Sequence, residues 1–401
     1  MFDSKSYHHA LDLLREAVTP YGFVAAVEEQ DNYKRVWTRD GVITSIAALL
    51  SGDKSLTDAA RNTLITIFEH QHPDGFMPSN VSPKDGAVSY GGTSGRADNP
   101  SWAVIGLAAY TLLTDDEDLW RKYQRQVHQC FTLLNSWEFN GKHLIYVPQS
   151  GDWADEYIQH GYILFDQLLR LWALRLASKL SFNADWETKI ADITRSIRAN
   201  YWKNDHPENA YSSNLMHQLE HASQEYWLMG FNPGRIYNYF DLQSNTFALF
   251  LGIGDENQNR KVLQYIGALY NQRQSLLPSF YPTIQDDDSD MNELKDNYAY
   301  AFRNQPDYFH NGGLWPVWNS WLVAALNFHQ KTSLAQEILS EIHRSNAKAD
   351  LFNECFHGTS LEPCGVPKCT WSAAGAVIAE QATSNAFRKI LTFDRNDGFG
   401  K

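Results

Sequence analysis

The sequence predicts an all-α protein whose helices pair into hairpins, and three observations lead there. Apolar residues recur at helical spacing in twelve segments from one end of the chain to the other. Alternating Val/Ile-rich runs, the mark of half-buried strands, are nearly absent, which disfavours an α/β architecture. No Gly/Ser or Pro-rich linker divides the chain and no strict internal repeat is visible. Twelve helices in 401 residues leave about 33 residues for each helix and its loop. Half a dozen helical hairpins in a ring, a six-hairpin toroid, match that count; a helical solenoid is the competing architecture.

The segments cover roughly 5–18, 41–52, 56–71, 100–114, 117–136, 160–180, 184–201, 237–252, 256–274, 313–329, 333–345 and 370–382. Residues 256–274 show the pattern well, with Val262, Leu263, Ile266, Leu269 and Tyr270 on one face. The 160–180 segment carries Ile163, Leu164, Leu168, Leu169, Trp172 and Leu176 at the same spacing. The whole chain, 1–401, reads as one domain.

Composition narrows the function classes. Hydrophobic residues make up 43% and charged residues 20%, as in a globular protein with a large core. No apolar run reaches the ~18 residues that suggest a membrane helix. The start, Met1-Phe2-Asp3-Ser4-Lys5, lacks the layout of a signal peptide, so the expected location is cytoplasmic. A net charge of −13 argues against nucleic acid and anionic membranes and favours a small neutral partner. Assembly into a homo-oligomer is left open.

No cofactor or metal is expected. Cys130, Cys355, Cys364 and Cys369 lack zinc-ligand spacing and read as free thiols. His72, His160 and His357 likewise show no metal-like spacing. The run Asp286-Asp287-Asp288-Ser289-Asp290 lacks the calcium-loop pattern and reads as a solvated loop.

The unusual residues lie in loops. Tyr146-Val147-Pro148-Gln149-Ser150-Gly151-Asp152-Trp153-Ala154-Asp155-Glu156 places three carboxylates beside an aromatic ring, after a Pro and a Gly that break regular structure. Helix capping accounts for one such acid, not for the aromatic company. Trp37-Thr38-Arg39-Asp40 opens a helix. Tyr308-Phe309-His310-Asn311-Gly312-Gly313-Leu314-Trp315-Pro316 precedes another, and Asn353-Glu354-Cys355-Phe356-His357-Gly358 leads towards Thr370-Trp371-Ser372. Rings that stack on C–H faces, set beside carboxylates, Arg and amides, suit a sugar. The substrate-binding candidates are therefore Trp37, Arg39, Asp40, Trp153, Asp155, His310, Asn311, Gly312, Trp315 and Trp371. Trp315, Trp318 and Trp321 are spaced three apart, so at least one belongs to the core. Glycoside hydrolysis needs two carboxyl groups, one protonated and one ionised, and Asp152 and Glu354 are the obvious pair.

These motifs resemble the neutral/alkaline invertase family, glycoside hydrolase family 100, and its relatives among α-glucosidases and debranching-type enzymes. The resemblance covers most of the chain, with the motifs in the family's order. Phe309-His310-Asn311-Gly312-Gly313-Leu314-Trp315-Pro316 is the most specific match, and Val36-Trp37-Thr38-Arg39-Asp40 is similar to the family's aromatic-x-Arg-Asp segment. Glu354, ahead of Thr370-Trp371-Ser372-Ala373-Ala374-Gly375, falls where these enzymes place the general base. The resemblance implies an (α/α)6 barrel, an inverting mechanism and no cofactor. It also implies Asp152 as general acid, Glu354 as base, and Arg39, Asp40 and Trp315 in the −1 subsite. One motif departs: the invertases place the acid before Ser-Gly, whereas Asp152 follows Ser150-Gly151, nearer to the related α-glucosidase and mannosylglycerate hydrolase group. Sucrose is thus the first specific expectation, with another small α-glucoside close behind and Asp155 as rival acid. The other classes to separate are a sugar epimerase using paired histidines and a non-catalytic carbohydrate-binding helical barrel or solenoid.

Overall fold

Six of the helices are buried on every side, and their packing closes a ring. The computed structural model describes residues 4–203, 210–297, 301–348 and 351–391; Met1-Phe2-Asp3, read above for targeting, lies outside them. Outer and inner helices alternate along the chain: α1 (Ser4–Glu16) then α2 (Thr38–Ser51), α3 (Lys54–Glu69) then α4 (Asn99–Thr114), α5 (Asp118–Ser136) then α6 (Leu164–Leu180). The alternation continues with α7 (Ala184–Asn200), a short α8 (Ser213–Leu219) and inner α9 (Leu242–Phe250). Outer α10 (Glu256–Arg273) and a short α11 (Asp290–Asp296) precede inner α12 (Pro316–Phe328); outer α13 (Thr332–Asn346) precedes inner α14 (Thr370–Gln381), and α15 (Asn385–Lys389) follows. The inner helices pack α2 on α4, α4 on α6, α6 on α9, α9 on α12, α12 on α14 and α14 back on α2. That closure is the (α/α)6 barrel, and it excludes an open solenoid.

The sequence explains which helices go inside. In α2, Thr38 to Leu50 are all buried, and in α12 Pro316 to Leu326 are. A helix that is apolar all round has no solvent face to present and belongs in the middle. Outer helices bury only a stripe: Val262, Ile266, Leu269 and Tyr270 on α10, or Leu119, Tyr123, Val127, Cys130 and Leu134 on α5. Trp172, Trp318 and Trp321 are all sealed in the core. Among the described residues no helix is long and apolar enough to cross a membrane.

Short strands sit just before several inner helices. β1 (Val18–Thr19) pairs with β2 (Gly22–Phe23); β3 (Val36–Trp37), β4 (Asn80–Val81) and β5 (Val88–Ser89) form a three-stranded sheet. β6 (Tyr162–Ile163), β7 (Leu228–Phe231), β8 (Ile236–Asp241) and β9 (Phe280–Tyr281) form a four-stranded antiparallel one. β10 (Cys355–Phe356) pairs with β11 (Pro363–Cys364), Cys355 opposite Cys364.

All twelve expected helices are present, with boundaries corrected by local chemistry. The 237–252 segment is strand up to Asp241 and helix only from Leu242, because Ile236-Tyr237-Asn238-Tyr239-Phe240 is rich in residues that favour strands. Asp241 then caps α9 by accepting from the Ser244 amide at 3.1 Å. The 313–329 segment starts at Pro316, whose missing N–H costs nothing in the first turn. The acidic run is exposed from Asp286 to Ser289; Asp290 is half-buried, opens α11 and pairs with Arg235 at 2.7 Å.

Candidate active site

Five of the six inner helices, α2, α4, α6, α12 and α14, have no side-chain hydrogen bond capping their N-termini. The expected functional residues gather at these same ends. First-turn N–H groups without side-chain caps and the helix dipoles make such a mouth favourable for carboxylates. Asp40 lies in the first turn of α2, Asp98 just before α4, Asp166 in the first turn of α6 and Asp241 at the cap of α9.

Asp152 is carried by the loop before α6. Ser150 adopts φ +62°, and Gly151 packs so tightly on Pro148 that a Cβ there would lie 2.7 Å from the Pro148 Cγ. The Ala97 amide donates to the Gly151 carbonyl at 2.6 Å and Arg96 Nη1 donates to the Ser150 carbonyl at 2.8 Å, fixing the loop against the segment that enters α4. Asp152 is buried; its Oδ1 accepts from the Ala154 amide at 2.9 Å and its Oδ2 from Gln159 Nε2. Burial and then the negative charge of Asp98 push its carboxyl well above the usual range, against the pull of Arg39. Asp166 is raised in the same way, by burial and by Asp152; neither of its oxygens has a protein hydrogen-bond partner among the described residues.

Glu354 stands at the entry to β10, on the opposite side of the chain's order. Its Oε1 accepts from Tyr33 Oη at 2.9 Å and its Oε2 from the Val366 amide at 3.1 Å. Gly365, at φ +75°, presses on the carboxylate: a Cβ there would sit 2.4 Å from Oε2. Burial raises the Glu354 carboxyl to about 7, opposed by the Tyr33 and Val366 hydrogen bonds and the Arg303 charge.

Arg39 and Asp40 connect the two acids. Arg39 Nη1 donates to Asp98 Oδ2 at 2.8 Å, and its guanidinium lies 5.8 Å from the Trp371 ring. Burial alone would lower the Arg39 pKa, but the charges of Asp98 and Asp40 outweigh it and keep the side chain cationic. Asp98 and Arg39 act on Asp152, and Asp40 acts on Glu354. Both acids therefore feel the same Arg39-Asp40-Asp98 cluster.

The aromatics form one packed group. Trp153 meets Trp315 edge-on at 5.3 Å and His310 at 5.2 Å, and stacks on Phe280 at 5.8 Å. His310 stacks on Trp315 at 5.4 Å, and Trp371 meets Trp315 edge-on at 5.7 Å. Burial, then Arg303 and Arg39, holds His310 well below its ordinary pKa, so the ring is neutral. Its aromatic neighbours are Trp153, Phe309 and Trp315. Trp37, half-buried, donates its indole N–H to the Asn32 carbonyl at 3.0 Å and sits on the rim beside Tyr33.

Three expected ligand contacts serve the scaffold instead. Asn311 donates to the Ile284 and Asn304 carbonyls, at 2.9 and 3.1 Å, and accepts from the Ile284 amide, so its amide group is occupied. Gly312, at φ +90°, leaves only 2.4 Å between a would-be Cβ and Thr283 Oγ1. Asp155, 38% exposed, pairs with Arg96 at 2.7 Å on the rim.

Sequence reasoning missed Tyr33, Arg303, Gln159, Asp166 and Gly365. Arg303 pairs with Glu156 at 2.8 Å and covers the Phe309 ring at 3.9 Å. Each lies near an acid or an aromatic ring, but outside the four motifs singled out. Asp98 was legible in principle, since Asp98-Asn99-Pro100 opens a helix as Arg39-Asp40 does. The four cysteines are free and buried, and no group of three or more His, Cys, Asp or Glu gathers as a metal site among the described residues.

The model of the alkaline and neutral invertase family matches residues 206–386. An alkaline/neutral invertase of Arabidopsis thaliana, named as mitochondrial, is 24% identical over 97% of this chain and 68% of its own length. A second from the same plant, named as chloroplastic, is 23% identical over 96% of this chain and 73% of its own length. Among solved structures, a GH63 mannosylglycerate hydrolase from Thermus thermophilus superposes with a TM-score of 0.68 at 12% identity, covering 93% of this chain and 99% of that one. A bacterial glucoamylase complexed with acarbose gives a TM-score of 0.65 at 14% identity, over 97% of this chain and 56% of its own. The structural likenesses show the shared helical-barrel fold. The family match and the sequence relatives support a glycosidase.

Proposed function

We propose that the protein hydrolyses a small α-glucoside with inversion at the anomeric carbon, sucrose being the first substrate to test. The observation that carries this reading is the pair of buried carboxyls at one mouth of the barrel, held in opposite surroundings. Asp152 lies among other carboxyls and keeps its proton, the state needed to protonate the glycosidic oxygen. Glu354 lies near Arg303 and accepts two hydrogen bonds; with a pKa of about 7 it is ionised at neutral to alkaline pH. In that state it takes a proton from a water that attacks the anomeric carbon from the opposite face. After bond cleavage Asp152 is ionised and Glu354 protonated, and exchange with solvent restores both. Arg39 and Asp40 would hold sugar hydroxyls between the acids, over the Trp153, Trp315 and Trp371 group.

The other small glucosides, glycosylglycerates included, remain the alternative within this reading, since Asp152 follows Ser150-Gly151. His310 is packed among aromatic rings and held neutral, which does not favour an epimerase with paired histidines. The whole chain acts as one catalytic domain, because the proposed acid and base come from distant parts of it. The cytoplasmic location is likewise part of the proposal, to be set against the organellar names of the plant relatives.

The test is a hydrolysis screen over sucrose, trehalose, maltose, isomaltose and glycosylglycerates, with the first sugar released followed by NMR before mutarotation. β-Glucose first from an α-glucoside is the expected result. Early α-glucose would mean a covalent, retaining route and a closer acid pair, ~5–5.5 Å instead of ~6.5–9.5 Å.

A further inference from the structure

Three of the four cysteines lie in the segment that carries Glu354, and two of them face each other. Cys355 on β10 and Cys364 on β11 are cross-strand partners with Sγ atoms 2.9 Å apart, both thiols free. Most cysteine pairs are barred from bonding because their Cβ vectors diverge or their backbones stand too far apart. This pair is already in contact.

The geometry points to a dithiol that a low-molecular-weight disulfide, such as oxidised glutathione, converts into a Cys355–Cys364 disulfide beside Glu354. Cys364, 5% exposed, is the sulfur an oxidant reaches first, Cys355 being fully buried. The Cys364 thiolate attacks one sulfur of the oxidant and releases one thiol. Cys355, deprotonated in its turn, attacks Cys364 Sγ of the mixed disulfide and releases the second. The two cysteine protons end on the two released thiols, and the oxidant takes up the two electrons. Burial, followed by the Cys364 hydrogen bond and charge, raises the Cys355 pKa well above normal. Exchange starts at the more exposed Cys364, and attack by Cys355 is the slow step.

The bond would act on the carboxylate next door. An S–S bond is about 2.05 Å long, so closure draws the two strands together. Glu354 precedes Cys355 and Gly365 follows Cys364, and Gly365 lies so close to the Glu354 carboxylate that a Cβ there would sit 2.4 Å from Oε2. A displacement of about 1 Å at a reacting group costs ~10²-fold in rate. This second consequence rests on the reading of Glu354 as the base; the disulfide itself does not.

The experiment treats the full chain with oxidised glutathione over a range of concentrations, then blocks remaining thiols and maps peptides by mass spectrometry. A Cys355–Cys364 cross-link two hydrogens lighter than the dithiol is expected, with hydrolysis at least tenfold slower and both changes reversed by dithiothreitol. Cys369→Ala should keep the ratio of oxidised to reduced rates, and Cys364→Ala should abolish the difference. No Cys355–Cys364 link at any concentration, or a link to Cys369 instead, overturns the site. A complete link with undiminished rate overturns its effect on Glu354. Should none of the tested glycosides be cleaved, the link still decides the disulfide, and the thermal midpoint supplies the second reading. Closing the short hairpin loop should raise that midpoint by a few degrees, and an unchanged midpoint would count against the staple.

Discussion

The loop of Asp152 and the ribbon of Glu354 begin with the same chemistry, a buried carboxyl at the mouth of the barrel, and differ in their charged surroundings, which is why we propose different tasks for them. Around Asp152 the charges are mostly negative, from Asp98 and Asp241, with Arg39 as the counterweight. Around Glu354 two donors, Tyr33 and Val366, and the cation Arg303 oppose burial, with Asp40 the negative neighbour. Burial raises both carboxyls and each accepts two hydrogen bonds; the charged neighbours separate them, Asp98 and Asp241 at Asp152 against Arg303 at Glu354. An acid and a base can thus be told apart without any difference in residue class or exposure.

The comparison breaks first, and most severely, if either carboxyl is removed. Asp152→Asn and Glu354→Gln are each expected to fold and to lose ~10²–10⁴-fold in kcat, measured on whichever glycoside the screen identifies. Asp155→Asn, on the rim, should keep most of the activity; if it matched Asp152→Asn, the acid would have been assigned to the wrong side chain.

A second test sharpens the Glu354 side. Tyr33→Phe removes a hydrogen bond to the ionised form, worth ~1.5–3 kcal/mol for a charged partner, so turnover at neutral pH should fall about tenfold or more. The wild-type rate should rise with pH through about 7 as Glu354 ionises, and fall at higher pH as Asp152 gives up its proton. Because the Tyr33 and Arg303 interactions lower the Glu354 pKa, Tyr33→Phe and Arg303→Gln should both move the acid limb to higher pH. The alkaline limb, set by Asp152, should stay. A limb that moves the other way would reject the assignment of base.

A third test addresses the negative surroundings of Asp152. Asp166 has a folded pKa above its unfolded value, so its contribution favours the fold least where the unfolded chain is already ionised. The sign follows: stability is lost as pH rises from the unfolded pKa near 4 towards the raised folded value. Asp166→Asn should therefore melt on the order of a few degrees higher than wild type at pH 7, with the difference vanishing near pH 3. Equal melting at both pH values would mean that Asp166 is not a buried charge cost.

The smallest effect is none. Prolonged chelation should leave the rate unchanged, since the proposed chemistry is carried by carboxyls; loss on chelation and recovery with zinc or calcium would require a different mechanism.

Much of this was legible in the residues. Helical periodicity located the helices, because the contrast between all-apolar α12 and striped α10 is a property of local sequence. The acids Asp152 and Glu354 stood out because each shares a broken loop with aromatics. What periodicity could not supply was closure: whether α14 packs on α2 depends on contacts between residues over 300 positions apart. The same applies to Tyr33, which reaches Glu354 across 321 positions, and to Arg303, which reaches Glu156 across 147. Asn311 looked like a ligand contact because amides suit sugars, yet its partners are backbone groups of Ile284 and Asn304 that no local pattern reveals. Residue types and their order determined the helices and the candidate chemistry. The tertiary structure alone decided which carboxyl has other acids as its stronger charged neighbours and which has a cation, because protonation is set by neighbours in space and not in sequence.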